Sequence, residues 1–149
     1  MELSVFVEIK KPVEEVWKTI TDFENCSNYI ESIINLKIIE QPNDTLIGFT
    51  WEETRVMFGK ESTEKMWITD YTENESYQTR AESHGSVYVS KLSIEKLGEN
   101  TKLTMSFDAK AEKILVKIIS ACMGFMMKGL MKKALLKDLN DIKNHLETN

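Results

Sequence analysis

Arginine is nearly absent from this sequence: Arg55 and Arg80 are the only two, and the formal net charge is −5. A general nucleic-acid binder needs clustered cations to neutralise phosphates, so this composition argues against that class. Cysteine is equally sparse. Cys26 and Cys122 stand far apart with no metal-type spacing, which points to two reduced, core-packed thiols in a cytosolic protein rather than a disulfide framework. His84 and His145 have no neighbouring cysteine or histidine, so no metal and no cofactor is expected. The glycines are scattered and build no phosphate-cradling loop. No Ser/His/Asp or Cys/His arrangement emerges from the spacing. Long hydrophobic runs are missing too. The stretch from Ile114 to Met127 is about 14 residues and contains Lys117, too short and too charged for a membrane span, so no integral membrane association is expected. Met1-Glu2-Leu3-Ser4 lacks both the basic and the apolar region of a signal peptide.

What is present fits one domain over residues 1–149, long enough to bury a substantial core without disulfides or metals. Val5, Val7 and Ile9 alternate with polar neighbours, the period of a half-buried strand. Lys11-Pro12 then opens a helix, with Glu14 and Glu15 where the dipole favours acids and Val13, Val16, Trp17 and Ile20 on the apolar face. Asp22 is placed to cap a second short helix that carries Phe23, Cys26, Tyr29 and Ile30. From Ile33 to about Ala111 the chain reads as successive strands. Ile34, Leu36 and Ile38 alternate in the first, and Phe49, Trp51, Glu53 and Arg55 share one face of the next. Turns are expected at Pro42-Asn43-Asp44, Phe58-Gly59, Asn74-Glu75, His84-Gly85 and Gly98-Glu99-Asn100, each short enough for antiparallel neighbours. The order strand, two short helices, six strands, long helix is an α+β architecture: a curved antiparallel sheet of about seven strands around a C-terminal helix.

That helix, Glu112 to Glu147, contains no proline and would be about 50 Å long. Its halves do not face the same way. The C-terminal half puts Met131, Leu135, Leu139, Ile142 and Leu146 on one stripe. In the first half that side carries Lys117, Ser120, Gly124 and Lys128, while apolar residues cover nearly all the rest. Either the chain bends near Gly124 or Gly129, or Ile114–Leu130 covers something apolar besides the core. Met123, Met126, Met127 and Met131 favour the second option, because flexible thioethers suit a surface that repacks around varied apolar shapes. Lys128, Lys132, Lys133 and Lys137 read as a solvated helix face, with contact to anionic lipid the alternative.

The whole chain resembles the START-like, or SRPBCC, helix-grip superfamily. The residues that carry this are Ile9-Lys10-Lys11-Pro12-Val13-Glu14-Glu15-Val16-Trp17 running into Asp22-Phe23-Glu24-Asn25. Gly48-Phe49-Thr50-Trp51-Glu52-Glu53-Thr54-Arg55, Phe58-Gly59-Lys60-Glu61 and Ala134-Leu135-Leu136-Lys137-Asp138-Leu139 resemble its polyketide cyclase/dehydrase branch. The resemblance implies a cavity between sheet and long helix that holds a small hydrophobic or amphipathic ligand. Its expected walls are Phe49, Trp51, Met66, Tyr77, Tyr88, Phe107, Met123 and Met127, with Glu53 and Arg55 orienting a polar group, or else pairing in solvent at the strand end. Three functions are compatible with this. The first is a binding module that sequesters or carries the ligand. The second is a cyclase- or dehydratase-like enzyme with Glu53 as acid/base and Arg55 stabilising an enolate. The third is a protein-interaction module, a homodimer included, built on the apolar half-helix.

Overall fold

The computed structural model describes residues 2–57, 59–83, 85–111 and 114–148, with the side chains of residues 57, 83, 111 and 114–127 outside the description. The chain opens with β1 (Glu2–Ile9), α1 (Val13–Ile20) and a 3-10 turn over Phe23–Asn28. Six strands follow: β2 (Ile33–Glu40), β3 (Thr50–Met57), β4 (Lys60–Thr72), β5 (Ser76–Ser83), β6 (Ser86–Leu97) and β7 (Asn100–Ala111). The chain ends in the 34-residue helix α2 (Ile114–Glu147). All neighbouring strands are antiparallel, in the order β1-β7-β6-β5-β4-β3-β2, so the first strand sits beside the last and β2 forms the far edge. This is the α+β helix-grip architecture expected from the order of elements.

Local chemistry explains most boundaries. Pro12 stands at the N-cap of α1 with an extended ψ, and its carbonyl accepts from Glu15 and Val16, so the ring costs the helix no hydrogen bond. The 3-10 turn is capped differently from expectation. Asp22 makes no side-chain bond to the backbone; its carboxylate accepts the side-chain amide of Asn25 at 2.9 and 3.1 Å. Between β4 and β5 the chain turns at Asn74, whose φ of 62° is one that asparagine tolerates and branched residues do not. In β2 a register shift between Ile33 and Asn35 changes the phase. Ile33 is buried, Leu36 and Ile38 pack on the core, and Ile34 turns outward at 51 % exposure, against the simple alternation expected of it.

The core lies between the inner face of the sheet and two helical layers. Val16, Trp17 and Ile20 of α1 and Phe23 of the turn pack on it from one side. Along α2 the expected stripe is buried throughout: Met131, Leu135, Leu139, Ile142 and Leu146. Leu139, Ile142 and Leu146 join the main core, whereas Met131 and Leu135 close a smaller cluster with Leu3, edged by Val5, Met105 and Phe107. The C-terminal end of α2 is tied to the end of β1. Lys143 Nζ donates to the Glu8 carbonyl at 2.6 Å, and the Lys10 amide donates to the Glu147 carboxylate at 2.9 Å.

Gly129 sits inside α2 on its exposed side, where an added Cβ would meet no heavy atom within 4 Å. Glycine costs a helix interior about 0.5–1 kcal/mol relative to alanine. Gly129→Ala is therefore expected to stabilise the fold by that amount, seen as a higher denaturant midpoint with an unchanged slope. A lower midpoint would show that the helix needs a bend there.

Candidate ligand cavity

Residues directly opposite in antiparallel strands project to one face, so the register defines the inner surface. One row runs Ile38–Trp51–Met66–Ala81–Tyr88–Ala109. A second runs Ile68–Thr79–Ser90–Phe107–Leu3, and a third Tyr71–Tyr77–Leu92–Met105–Val5. Phe49, Glu53 and Arg55 have the parity of Trp51 in the same stretch of chain. All eight described candidates therefore share the inner face. Met123 and Met127 lie outside the described residues.

Burial along this face is uneven. Toward the end of the sheet gripped by the C-terminal half of α2, Ile9, Leu103 and Thr101 are fully buried and Leu92 and Ile94 nearly so. Toward the other end Leu3, Thr79 and Ala81 are buried as well, but Met66, Tyr88, Ser90, Phe107 and Ala109 are only half-buried. The candidates divide accordingly. Phe49, Trp51 and Tyr77 close around Phe23, with ring centroids 4.9, 4.8 and 5.4 Å from it, and form packed core. Tyr88 and Phe107 stack on each other at 5.9 Å on the less covered side.

Glu53 and Arg55 belong to a hydrogen-bonded network that crosses from sheet to helix. Arg55 Nε donates to Glu53 Oε2 at 2.8 Å, and a terminal guanidinium nitrogen donates to Asp138 Oδ2 at 2.8 Å. Trp51 Nε1 donates to Glu53 Oε1 at 3.3 Å, and the Ser32 hydroxyl donates to Asp138 Oδ1 at 2.8 Å. Both carboxylates are buried, and Arg55 keeps 18 % of its side-chain surface. Burial works against the guanidinium charge, but Glu53 and Asp138 outweigh it and hold the Arg55 pKa above its already high value. Among the described residues no buried side-chain nitrogen or oxygen lacks a partner.

Around this network stand three groups that stay protonated. Burial, helped by the nearby Glu53 charge, pushes the Cys26 thiol up to about 12. Burial also raises Tyr29, whose hydroxyl donates to the Thr19 carbonyl at 3.1 Å, and raises Tyr77 well above the ordinary phenol range. Cys26 is thus a partly buried thiol held in its neutral form, as the sequence suggested.

Sequence reasoning missed Asp138 and Ser32. The signal was present in the helix: Asp138 lies three residues after Leu135 and four before Ile142, inside the buried stripe, where an acid requires a partner. Among the described residues no set of three histidine, cysteine or acidic side chains is placed to hold a metal ion, and no helix is long and apolar enough to cross a membrane. A separate open cleft of about 360 Å3 lies between α1, the 3-10 turn and the end of α2. Its lining is mixed, with Glu15, Lys18, Asp22 and Asn28 beside Tyr29 and Leu146, and the Tyr29 ring stacks on His145 there at 4.2 Å.

Removing one partner of a buried ion network costs about 3–5 kcal/mol. Asp138→Leu is expected near the lower end, because the guanidinium edge keeps some water. The cycle with Arg55→Met should show a coupling above about 1 kcal/mol in denaturant unfolding; additive losses would mean the two charges do not act together. Cys26 makes a second prediction. Its folded pKa lies above its ordinary value of 9.0, so the stability it contributes is full below pH 9.0 and is lost as pH rises toward about 12. In a Cys122→Ser background, alkylation of Cys26 at pH 8 should be on the order of a hundredfold slower than that of a free thiol. An equal rate would place the thiol in water.

The family model for "Polyketide cyclase / dehydrase and lipid transport" matches residues 1–147. No curated protein sequence matches the chain. Its fold is similar to that of a START superfamily protein from Mycobacterium smegmatis, with TM-score 0.83, 19 % identity and 99 % and 97 % of the two chains covered. A protein from Thermus thermophilus aligns with TM-score 0.82 and 13 % identity over 99 % and 98 %. The ZhuI aromatase/cyclase from Streptomyces sp. R1128 aligns with TM-score 0.79 and 14 % identity over 99 % and 93 %. Matched over nearly its whole length by that one model, the chain belongs to the polyketide cyclase/dehydrase and lipid-transport family, on a START-like helix-grip fold.

Proposed function

We propose that the protein binds a small hydrophobic or amphipathic molecule between the inner face of the sheet and the N-terminal half of α2, and sequesters or carries it without transforming it. The observation that supports this most is the uneven cover of the inner face. Tyr88, Ser90 and Ala109 project from the side that packs the core elsewhere yet stay half-buried, and so do Met66 and Phe107 at the rim of the two core clusters. Apolar surface left uncovered inside a fold is a loss of about 25 cal/mol per Å2, which a ligand of matching shape recovers. Ser90 and Thr79 add hydroxyls to this wall. Phe49, Trp51 and Tyr77 form its packed floor, and Met123 and Met127 are assigned to the opposing wall from the sequence alone.

The cyclase-type reading requires Glu53 to exchange a proton with substrate. Both of its oxygens already accept hydrogen bonds, from Trp51 and Arg55, and Arg55 in turn is shared with Asp138. The pair is better suited to holding the helix than to proton transfer. The reading of the apolar half-helix as a protein interface falls on side chains outside the described residues.

Native mass spectrometry of the purified chain after incubation with a lipid extract should show an adduct. Ser90→Phe, which fills the half-covered wall, should weaken adduct formation by at least about tenfold while shifting stability by less than about 2 kcal/mol. A parent chain that takes up nothing from any extract would defeat the binding reading. Cyclase activity on model polyketides that is lost in Glu53→Gln, with the fold kept, would replace it by the enzyme.

A further inference from the structure

Four hydroxyl-bearing residues among those described are more than nine-tenths buried: Thr50, Tyr77 and Thr79 at 7 % exposure and Thr101 at 0 %. Two of them are satisfied by backbone. Thr50 donates to the Gly48 carbonyl at 2.8 Å, and Thr101 donates to the Lys11 carbonyl at 2.7 Å. Tyr77 and Thr79 have no side-chain hydrogen-bond partner among the described residues. No fully covered side-chain oxygen in that set lacks a partner, so these two oxygens border open space within the fold.

The register adds a third hydroxyl at the same place. Thr79 on β5 stands directly opposite Ser90 on β6, and both project from the inner face. Ser90 is half-buried and also makes no side-chain hydrogen bond among the described residues. Tyr77 lies two residues from Thr79 on the same face of β5, the central strand of the sheet. The two rows that carry these residues, Ile68–Thr79–Ser90–Phe107–Leu3 and Tyr71–Tyr77–Leu92–Met105–Val5, hold no charged side chain. Arg55, the buried cation of the inner face, is already committed to Glu53 and Asp138.

A hydroxyl can donate one hydrogen bond and accept others, and it brings no charge. An ionised carboxylate among such rows would lose its hydration with no cation to replace it. We propose that Thr79 and Ser90, with Tyr77 beside them, anchor the polar end of the guest, and that this guest is an uncharged alcohol or ketone on an apolar frame rather than a fatty-acid anion. The anchor presupposes the binding reading above and gives its guest a chemistry. Because Thr79 and Ser90 face each other, one guest oxygen reaches both. The Tyr77 ring is held between Trp17 and Phe23, with centroids 6.3 and 5.4 Å away, so its hydroxyl is fixed before the guest arrives. Burial keeps that phenol protonated and therefore a donor.

The test is calorimetric titration of the full chain at pH 8 with three probes of one carbon length: 1-decanol, 2-decanone and decanoate. The alcohol and the ketone are expected to bind, and decanoate at least about tenfold more weakly. One hydrogen bond is worth roughly two- to tenfold in affinity, so T79V/S90A should weaken both neutral probes by about tenfold, and Y77F by a few-fold more. These variants replace unpartnered hydroxyls by apolar groups of nearly the same shape, so their melting temperatures should equal or exceed the parent's. Decanoate bound as tightly as decanol leaves the cavity standing and overturns the anchor. So does refusal of decanol by a chain that still takes up lipid from an extract. An unchanged decanol affinity in T79V/S90A, or a lower melting temperature in it, would mark the hydroxyls as structural and also overturn the anchor. A chain that takes up neither probes nor extract lipid defeats anchor and cavity together.

Discussion

Arg55 is the joint on which the two halves of this molecule turn. It reaches from β3 to Asp138 on α2 while holding Glu53 on its own strand, and Ser32 and Trp51 take the remaining carboxylate oxygens. Apolar burial drives α2 onto the sheet but is nearly indifferent to direction, since a stripe of leucines and methionines packs almost as well after a small slide. Charged hydrogen bonds at 2.8 Å have no such tolerance. A one-residue rotation of α2 would turn Asp138 by about 100° away from Arg55 and leave a guanidinium and a carboxylate buried without each other. The network thus sets the register of the helix on the sheet, and the stripe supplies the energy.

With the helix pinned at Asp138 and tied down again at Lys143 and Glu147, its C-terminal half can only close the core. Beneath that half Ile9, Leu103 and Leu139 are sealed, while Tyr88, Ser90 and Phe107 on the same face of the sheet stay half-buried. The same constraint makes that end of the molecule solid.

Much of this was legible in the residues. Alternation in β1 and β3, short turns between strands, and the Met131–Leu146 stripe each specify their element locally, and together they admit few topologies. The failures have physical causes. In β2 three apolar residues in alternation gave one phase, but the bulge after Ile33 inserts a residue and sends Ile34 to the outside. Asp22 was a reasonable cap, yet in a 3-10 turn its carboxylate finds Asn25 closer than the backbone amides. Glu53 and Arg55 were recognisable as an ionic pair on an apolar face. Their third member lies 83 residues further along the chain, and strand parity carries no information about a helix that far away. The acid at position 138 was a clue of another kind, because helical periodicity alone places it among buried leucines.

The Arg55 network also bears on the choice between holding a molecule and transforming it. For Glu53 to act as a base it must release Trp51 or Arg55. Releasing Trp51 leaves an indole N–H buried without an acceptor, a cost of about 1–3 kcal/mol. Releasing Arg55 leaves the guanidinium to Asp138 alone and loosens the contact that registers α2. Any catalytic cycle through Glu53 would therefore repeatedly disturb the joint that registers α2 on the sheet. The neighbouring groups do not relieve this. Cys26, Tyr29 and Tyr77 are all pushed toward their neutral forms by burial. Among the described residues of this face, the buried charges Glu53, Arg55 and Asp138 are thus committed to holding helix against sheet.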